Sequence, residues 1–141
     1  MNQPSRGLSA LVCEDDAAIR EMIRTVLERD GFAVEAICDG VTAVERIRDG
    51  AFDLIVLDLM IPGMSGFDVL EHFESTEPSR LKRVLITTAV PMSMVSKVPA
   101  GVCHVLPKPF DIDRLLALAR ECAEDTLTRK SRRLLPLPSP G

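Results

Sequence analysis

The chain has 141 residues, 46% of them apolar and 27% charged, which suits one domain able to bury its own core. No apolar run nears the roughly 18 residues of a membrane span, and residues 1–7 are polar and lack the apolar stretch of a secretory signal, so a cytoplasmic chain without membrane insertion is expected. The net charge is −4, and the four basic residues after position 125 (Arg129, Lys130, Arg132, Arg133) leave the rest of the chain still more acidic, which argues against direct nucleic-acid binding.

Residues 8–13 are an apolar run ending in Glu14-Asp15-Asp16, which predicts a first strand with acids at its tip. Ile19, Met22, Ile23, Val26 and Leu27 then recur at helical spacing on one face, and Gly31 is a suitable stop. Residues 32–37 read as a second strand, at a sheet edge because Glu35 is embedded in it. Asp39-Gly40 turns the chain, and Val41, Val44 and Ile47 carry a short second helix closed by Gly50. Residues 53–58 follow, with Leu54-Ile55-Val56-Leu57 apolar without a break, as in a strand buried on both faces of a parallel sheet. Asp58 stands at its carboxyl end.

Pro62, Gly63 and Gly66 then form a loop that cannot continue the strand. Ser65 caps a third helix with Asp68 near its positive end, and Val69, Leu70 and Phe73 face inward. Residues 84–88 predict a fourth strand with Thr87 and Thr88 at its tip, and residues 102–106 a fifth, followed by Lys108-Pro109. Between them, Pro91, Pro99 and Gly101 leave room for two helical turns at most, so the fourth helix is short or irregular. Ile112, Leu115, Leu116, Ala119 and Cys122 line the last helix. From Thr126 onward the basic, then Pro-rich sequence reads as an extended tail or linker. The expected organisation is an N-terminal tail at 1–7, one domain at 8–125 and a tail at 126–141.

None of Cys13, Cys38, Cys103 and Cys122 forms a C-x-x-C pair, and neither His72 nor His104 stands at ligand spacing from them. Buried free thiols are therefore expected in preference to disulfides or a zinc site.

Strands alternating with helices predict a doubly wound parallel sheet, whose ligands bind beyond the strands' carboxyl ends. Glu14, Asp15, Asp58, Thr88 and Lys108 all fall there. Clustered carboxylates repel unless a cation is present, and an all-oxygen set suits Mg²⁺. With its charge offset, Asp58 could act as a nucleophile on phosphorus and form an acyl phosphate, while Thr88 and Lys108 hold the other phosphoryl oxygens.

Leu11-Val12-Cys13-Glu14-Asp15-Asp16, Leu54 to Asp58 with Ile61-Pro62-Gly63-Met64-Ser65-Gly66, Thr88-Ala89 and Lys108-Pro109-Phe110 together resemble the receiver domain of two-component response regulators. The resemblance spans about residues 8–124. It implies a flavodoxin-like α/β fold with a five-stranded parallel sheet in the order 2-1-3-4-5. It also implies Asp58 as phosphoacceptor, Glu14 and Asp15 as the acids around Mg²⁺, and the Met60 backbone carbonyl as a further metal ligand. Thr88 matches the switch hydroxyl and Lys108 the phosphate-contacting lysine, with its bond to Pro109 cis. Asp16 reads as a helix cap. The phosphodonor would be a histidine kinase or a histidine phosphotransfer protein, and the output an unknown protein target.

One position departs from the family's pattern, and two more bear on the lifetime of the phosphoryl group. Val105 stands where the family usually has an aromatic, so residues 90–101 are expected to report phosphorylation instead. Met60 and Val90, two residues beyond Asp58 and Thr88, are apolar and cannot orient a hydrolytic water, so self-dephosphorylation is expected to be slow. The leading expectation is a stand-alone phosphoacceptor that catalyses only its own transfer and is otherwise no enzyme. A receiver-like scaffold that is never phosphorylated remains as an alternative. So does a Mg²⁺-dependent aspartyl-phosphate phosphohydrolase, although that chemistry needs a second acid where Met60 stands.

Overall fold

The computed structural model describes residues 7–134, with side chains to residue 124. Its elements are β1 (Ser9–Cys13), α1 (Ala17–Arg29), β2 (Ala33–Ile37), α2 (Gly40–Asp49), β3 (Leu54–Asp58), α3 (Gly66–Thr76), β4 (Val84–Thr88), α4 (Met92–Val95), β5 (His104–Pro107) and α5 (Ile112–Leu134). A 3-10 turn at Pro78–Arg83 leads into β4. All strands are parallel and run in the order β2-β1-β3-β4-β5.

The unbroken apolar run of β3 is explained by its place in the middle of that order: all five residues are buried. Alternation then sorts them. Leu54 and Val56 join Ile23, Leu27, Leu115 and Leu118 in the core under α1 and α5. Ile55 and Leu57 join Val44, Ile47, Val69 and Phe73 under α2 and α3. At about 1.5–3 kcal/mol for each fully buried side chain of this size, these two layers dominate the favourable side of folding. β2 is the half-exposed edge that Glu35 predicted, and that carboxylate is held by Arg46 Nη2 at 2.9 Å.

Helix starts follow local chemistry. Asp16 Oδ1 accepts from the Ile19 amide at 2.9 Å, and Asp39 Oδ1 from Thr42 at 2.8 Å. Ser65 and Asp68 form a reciprocal capping box at the start of α3. The fourth helix is one turn, within the two that its prolines allow.

Three expectations are corrected. Cys103 and Cys122 are paired as a disulfide, with Cα atoms 5.6 Å apart. The linear sequence hides this because they stand nineteen positions apart, and only the packing of α5 against the start of β5 brings them together. Cys38 is exposed, not buried, because it lies just past the edge strand. Finally, α5 runs through residue 134, where an extended tail was expected from Thr126 onward. Residues 126–134 contain neither proline nor glycine, so nothing stops the helix before Pro136. The Pro-rich segment at 135–141 lies outside the described residues.

Candidate functional site

Glu14 and Asp58 lie at the carboxyl ends of adjacent strands β1 and β3, because Cys13 is in register with Leu57. Asp15 follows in the first loop. One carboxylate oxygen from each of Glu14, Asp15 and Asp58 lies within 4.8 Å of the others. Glu14 and Asp58 are buried and Asp15 is exposed, so the cluster has a closed floor and an open mouth.

Lys108 converges on it from the far side of β4. Its Nζ donates to Glu14 Oε2 at 2.7 Å and to Asp58 Oδ2 at 3.1 Å. Burial works against the charged lysine, but the bond to Glu14 and the charge of Asp58 outweigh it and raise the Lys108 pKa. For Glu14, burial dominates and holds the carboxyl above its usual range, although the lysine opposes this. The bond between Lys108 and Pro109 is cis. Lys108 N–H also donates to Thr88 O at 2.7 Å, which pins the lysine's backbone to the end of β4.

The neighbouring backbone is tied to the side chains at the ends of β3 and β4. Asp58 Oδ1 accepts from the Met60 amide at 3.0 Å, and Thr88 Oγ1 accepts from the Val90 amide at 3.0 Å. Met60 is 60% exposed, so its side chain stands at the rim. Asp16 is occupied as the α1 cap, which separates it from the three clustered acids. Val105 is half-buried against the α2/α3 layer. His104 meets Glu121 at the surface at 3.0 Å, and the His72 ring packs edge-on against Phe73. Burial, with the charges of Asp39 and Asp58, pushes the Cys13 thiol up to about 12, so it is inert.

Some contributors escaped the sequence reading. Arg20 Nη1 donates to the carbonyls of Glu14 at 2.8 Å and Asp15 at 3.4 Å, holding the acid loop onto α1. The signal was its position four residues after the cap Asp16. Gly66 sits against the backbone of Asp58 and Leu59. Ile19, Met22, Ala89, Lys108, Pro109 and Phe110 line an apolar hollow of about 350 Å³ beside the acids.

The three-acid set is all oxygen, strongly anionic and open on one side. It fits a hard divalent cation such as Mg²⁺ better than a soft metal, which would want sulfur or imidazole. When bound there, such an ion neutralises the acids and polarises an incoming phosphoryl group.

The sequence profile of the response regulator receiver domain matches residues 10–120. The response regulator MprA of Mycobacterium ulcerans (strain Agy99) is 38% identical over 110 residues, which cover 78% of this chain and 47% of the relative. The chain thus spans about half the length of the curated relatives it matches. Among solved structures, the receiver domain of the Francisella response regulator 1452 superposes with a TM-score of 0.76 at 27% identity, over 85% of this chain and 99% of that one. The receiver domain of the sensor histidine kinase PA1611 of Pseudomonas aeruginosa, solved with a magnesium ion in its active-site cleft, superposes at 0.75. At 23% identity over 84% of this chain and 98% of that one, it speaks to the fold alone.

Proposed function

The chain belongs to the response regulator receiver domain family, and on that premise we propose that it takes a phosphoryl group from a protein phosphohistidine onto Asp58. The observation that carries this reading is the ion-paired cluster: Asp58 shares one ammonium with Glu14 and has Asp15 alongside. A buried carboxylate used only for structure would be served by the lysine alone, and three acids around one cation leave uncompensated charge that a divalent ion would meet. In this reading Glu14, Asp15, Asp58 and the Met60 carbonyl hold Mg²⁺. Asp58 Oδ attacks phosphorus, the donor imidazole leaves, and Lys108 and Thr88 receive the phosphoryl oxygens. Receiver domains are phosphorylated by histidine kinases, and the apolar hollow beside Lys108 favours a protein donor, a histidine kinase or histidine phosphotransfer protein, over a small polar ester. Phosphorylation would then alter binding to a downstream protein.

Met60 makes the phosphohydrolase reading the weaker one, since no acid or base stands two residues beyond Asp58. Incubation with acetyl phosphate and Mg²⁺ should add one phosphoryl group by intact mass, and Asp58→Asn should add none. An unmodified wild-type protein would favour the scaffold reading. Steady turnover of phosphate esters would favour the hydrolase.

The lifetime of the phosphoryl group is a second expected result. Met60 and Val90 stand two residues beyond Asp58 and Thr88 with their amides bonded to them, and in this reading their apolar side chains flank the reacting atoms. Exchanging them for groups that can orient water, in Met60→Asn with Val90→Glu, should speed phosphate loss by about tenfold. The half-life of the phosphorylated protein in EDTA, followed by mass, is the check, and an unchanged half-life would remove the explanation.

A further inference from the structure

Thr87 is 1% exposed, and its Oγ1 has no hydrogen-bond partner among the described residues. A valine would fill the same space without burying an unmade hydrogen bond, so the hydroxyl calls for a physical account.

The register shows what it faces. Thr87 pairs with Asp58 on β3 and with Leu106 on β5, and partners in register project to one face of a sheet. That face carries α1 and α5, since Leu85 and Leu106 belong to the core beneath them. Glu14 lies on it too, two residues after Val12. The backbone of Lys108 is docked on the end of β4, yet its ammonium reaches Asp58 on β3 and Glu14 on β1. Because β4 separates β5 from β3, the lysine side chain must cross β4. It does so on the side from which Thr87 projects, and Ala89, the next residue on that side, lines the hollow together with Lys108.

We infer that Thr87 is a positioning residue for Lys108. Its hydroxyl accepts a hydrogen bond from the ammonium once a divalent cation claims the carboxylate oxygens of Glu14 and Asp58. This rests on the phosphoacceptor reading above. The ammonium spends its donors on two carboxylates, those of Glu14 and Asp58. A cation bound there competes for those same lone pairs, and a lysine carries three donors that must find acceptors. Thr87 Oγ1 is an acceptor already in place under the lysine's path. Taking up the displaced bond there keeps Nζ over Asp58, where a phosphoryl oxygen would arrive, and stops it from swinging out toward the hollow.

The test compares wild type with Thr87→Val, which keeps the shape and removes the hydroxyl, and with Thr87→Ser, which keeps the hydroxyl. Phosphoryl gain from acetyl phosphate is timed by intact mass, and thermal unfolding is followed in EDTA and over a Mg²⁺ series. In EDTA, Thr87→Val should melt no lower than wild type. Its maximal phosphorylation rate should fall about tenfold with half-saturation by acetyl phosphate little changed, the Mg²⁺-induced rise in melting temperature should shrink, and Thr87→Ser should recover both. Equal rates and equal Mg²⁺ stabilisation in wild type and Thr87→Val would overturn the inference. So would a Thr87→Val protein that melts lower in EDTA, the mark of a hydroxyl already in structural use, or a Thr87→Ser protein that recovers nothing. A wild type that gains no mass would instead overturn the phosphoacceptor reading, and the Mg²⁺ melting comparison would still judge Thr87.

Discussion

Lys108→Ala is expected to lower the maximal rate of phosphorylation by about two orders of magnitude and the metal-free stability by about 2–4 kcal/mol. The two effects share one cause. Lys108 is the cation that both Glu14 and Asp58 hold, with its side chain 15% exposed and theirs at 1% and 5%. Removing it strands two buried carboxylates side by side, with Asp15 nearby adding to the repulsion. A surface ion pair lost in the same way would cost less than about 1 kcal/mol, so the size of the loss distinguishes a buried cluster from a decorative one. The stability deficit should be largely recovered by millimolar Mg²⁺, because a divalent ion supplies the missing positive charge, whereas the rate should not recover. Thermal melts in EDTA and in Mg²⁺, beside mass-timed phosphorylation, measure both arms. A Lys108→Ala protein that is as stable as wild type in EDTA would mean that the acids are relieved by protonation or water, and that the lysine is no counter-ion.

Gly66→Ala is expected to destabilise the protein by about 3 kcal/mol, a fall of about 10 °C in melting temperature. Two effects of opposite sign compete. Gly66 is the first residue of α3, and replacing a helical glycine with alanine ordinarily gains up to about 1 kcal/mol. Here, however, a Cβ would stand 2.5 Å from both Asp58 O and Leu59 Cα. Both atoms are backbone, and the Gly66 amide is already bonded to Leu59 O at 2.9 Å, so neither side can yield cheaply. Steric overlap therefore outweighs propensity. The displaced segment is the one that carries Asp58 and Met60, so the phosphorylation rate should fall as well, by about tenfold or more. Gly40→Ala should behave similarly, since its Cβ would overlap the Met64 carbonyl across the same loop. A stabilised Gly66→Ala protein would show that the loop after β3 is free to move.

Much of this was legible in the chain itself. Apolar runs marked the five strands and period-3.6 patterns the longer helices, because whatever an element buries has to be apolar. Pro91 and Pro99 limited α4 to two turns at most by removing amide donors. Ser65, Asp68 and Asp16 announced helix starts through local hydrogen bonds that need no distant partner. Glu14, Asp15, Asp58 and Lys108 were found together because a parallel sheet sends every strand's carboxyl end to one edge.

What the sequence by itself determined is therefore everything governed by neighbours within a few residues: the elements, their caps, and the strand-end positions where charged groups collect. Only the tertiary structure decided which distant groups meet. It closed Cys103 onto Cys122, drew Lys108 across β4 to share its ammonium between Glu14 and Asp58, left Thr87 Oγ1 buried without a partner among the described residues, and set Gly66 against the backbone of Asp58. The reason is physical. Local patterns fix which face of an element is buried, but contact across elements depends on strand order, register and packing distance, and no short window of sequence encodes these.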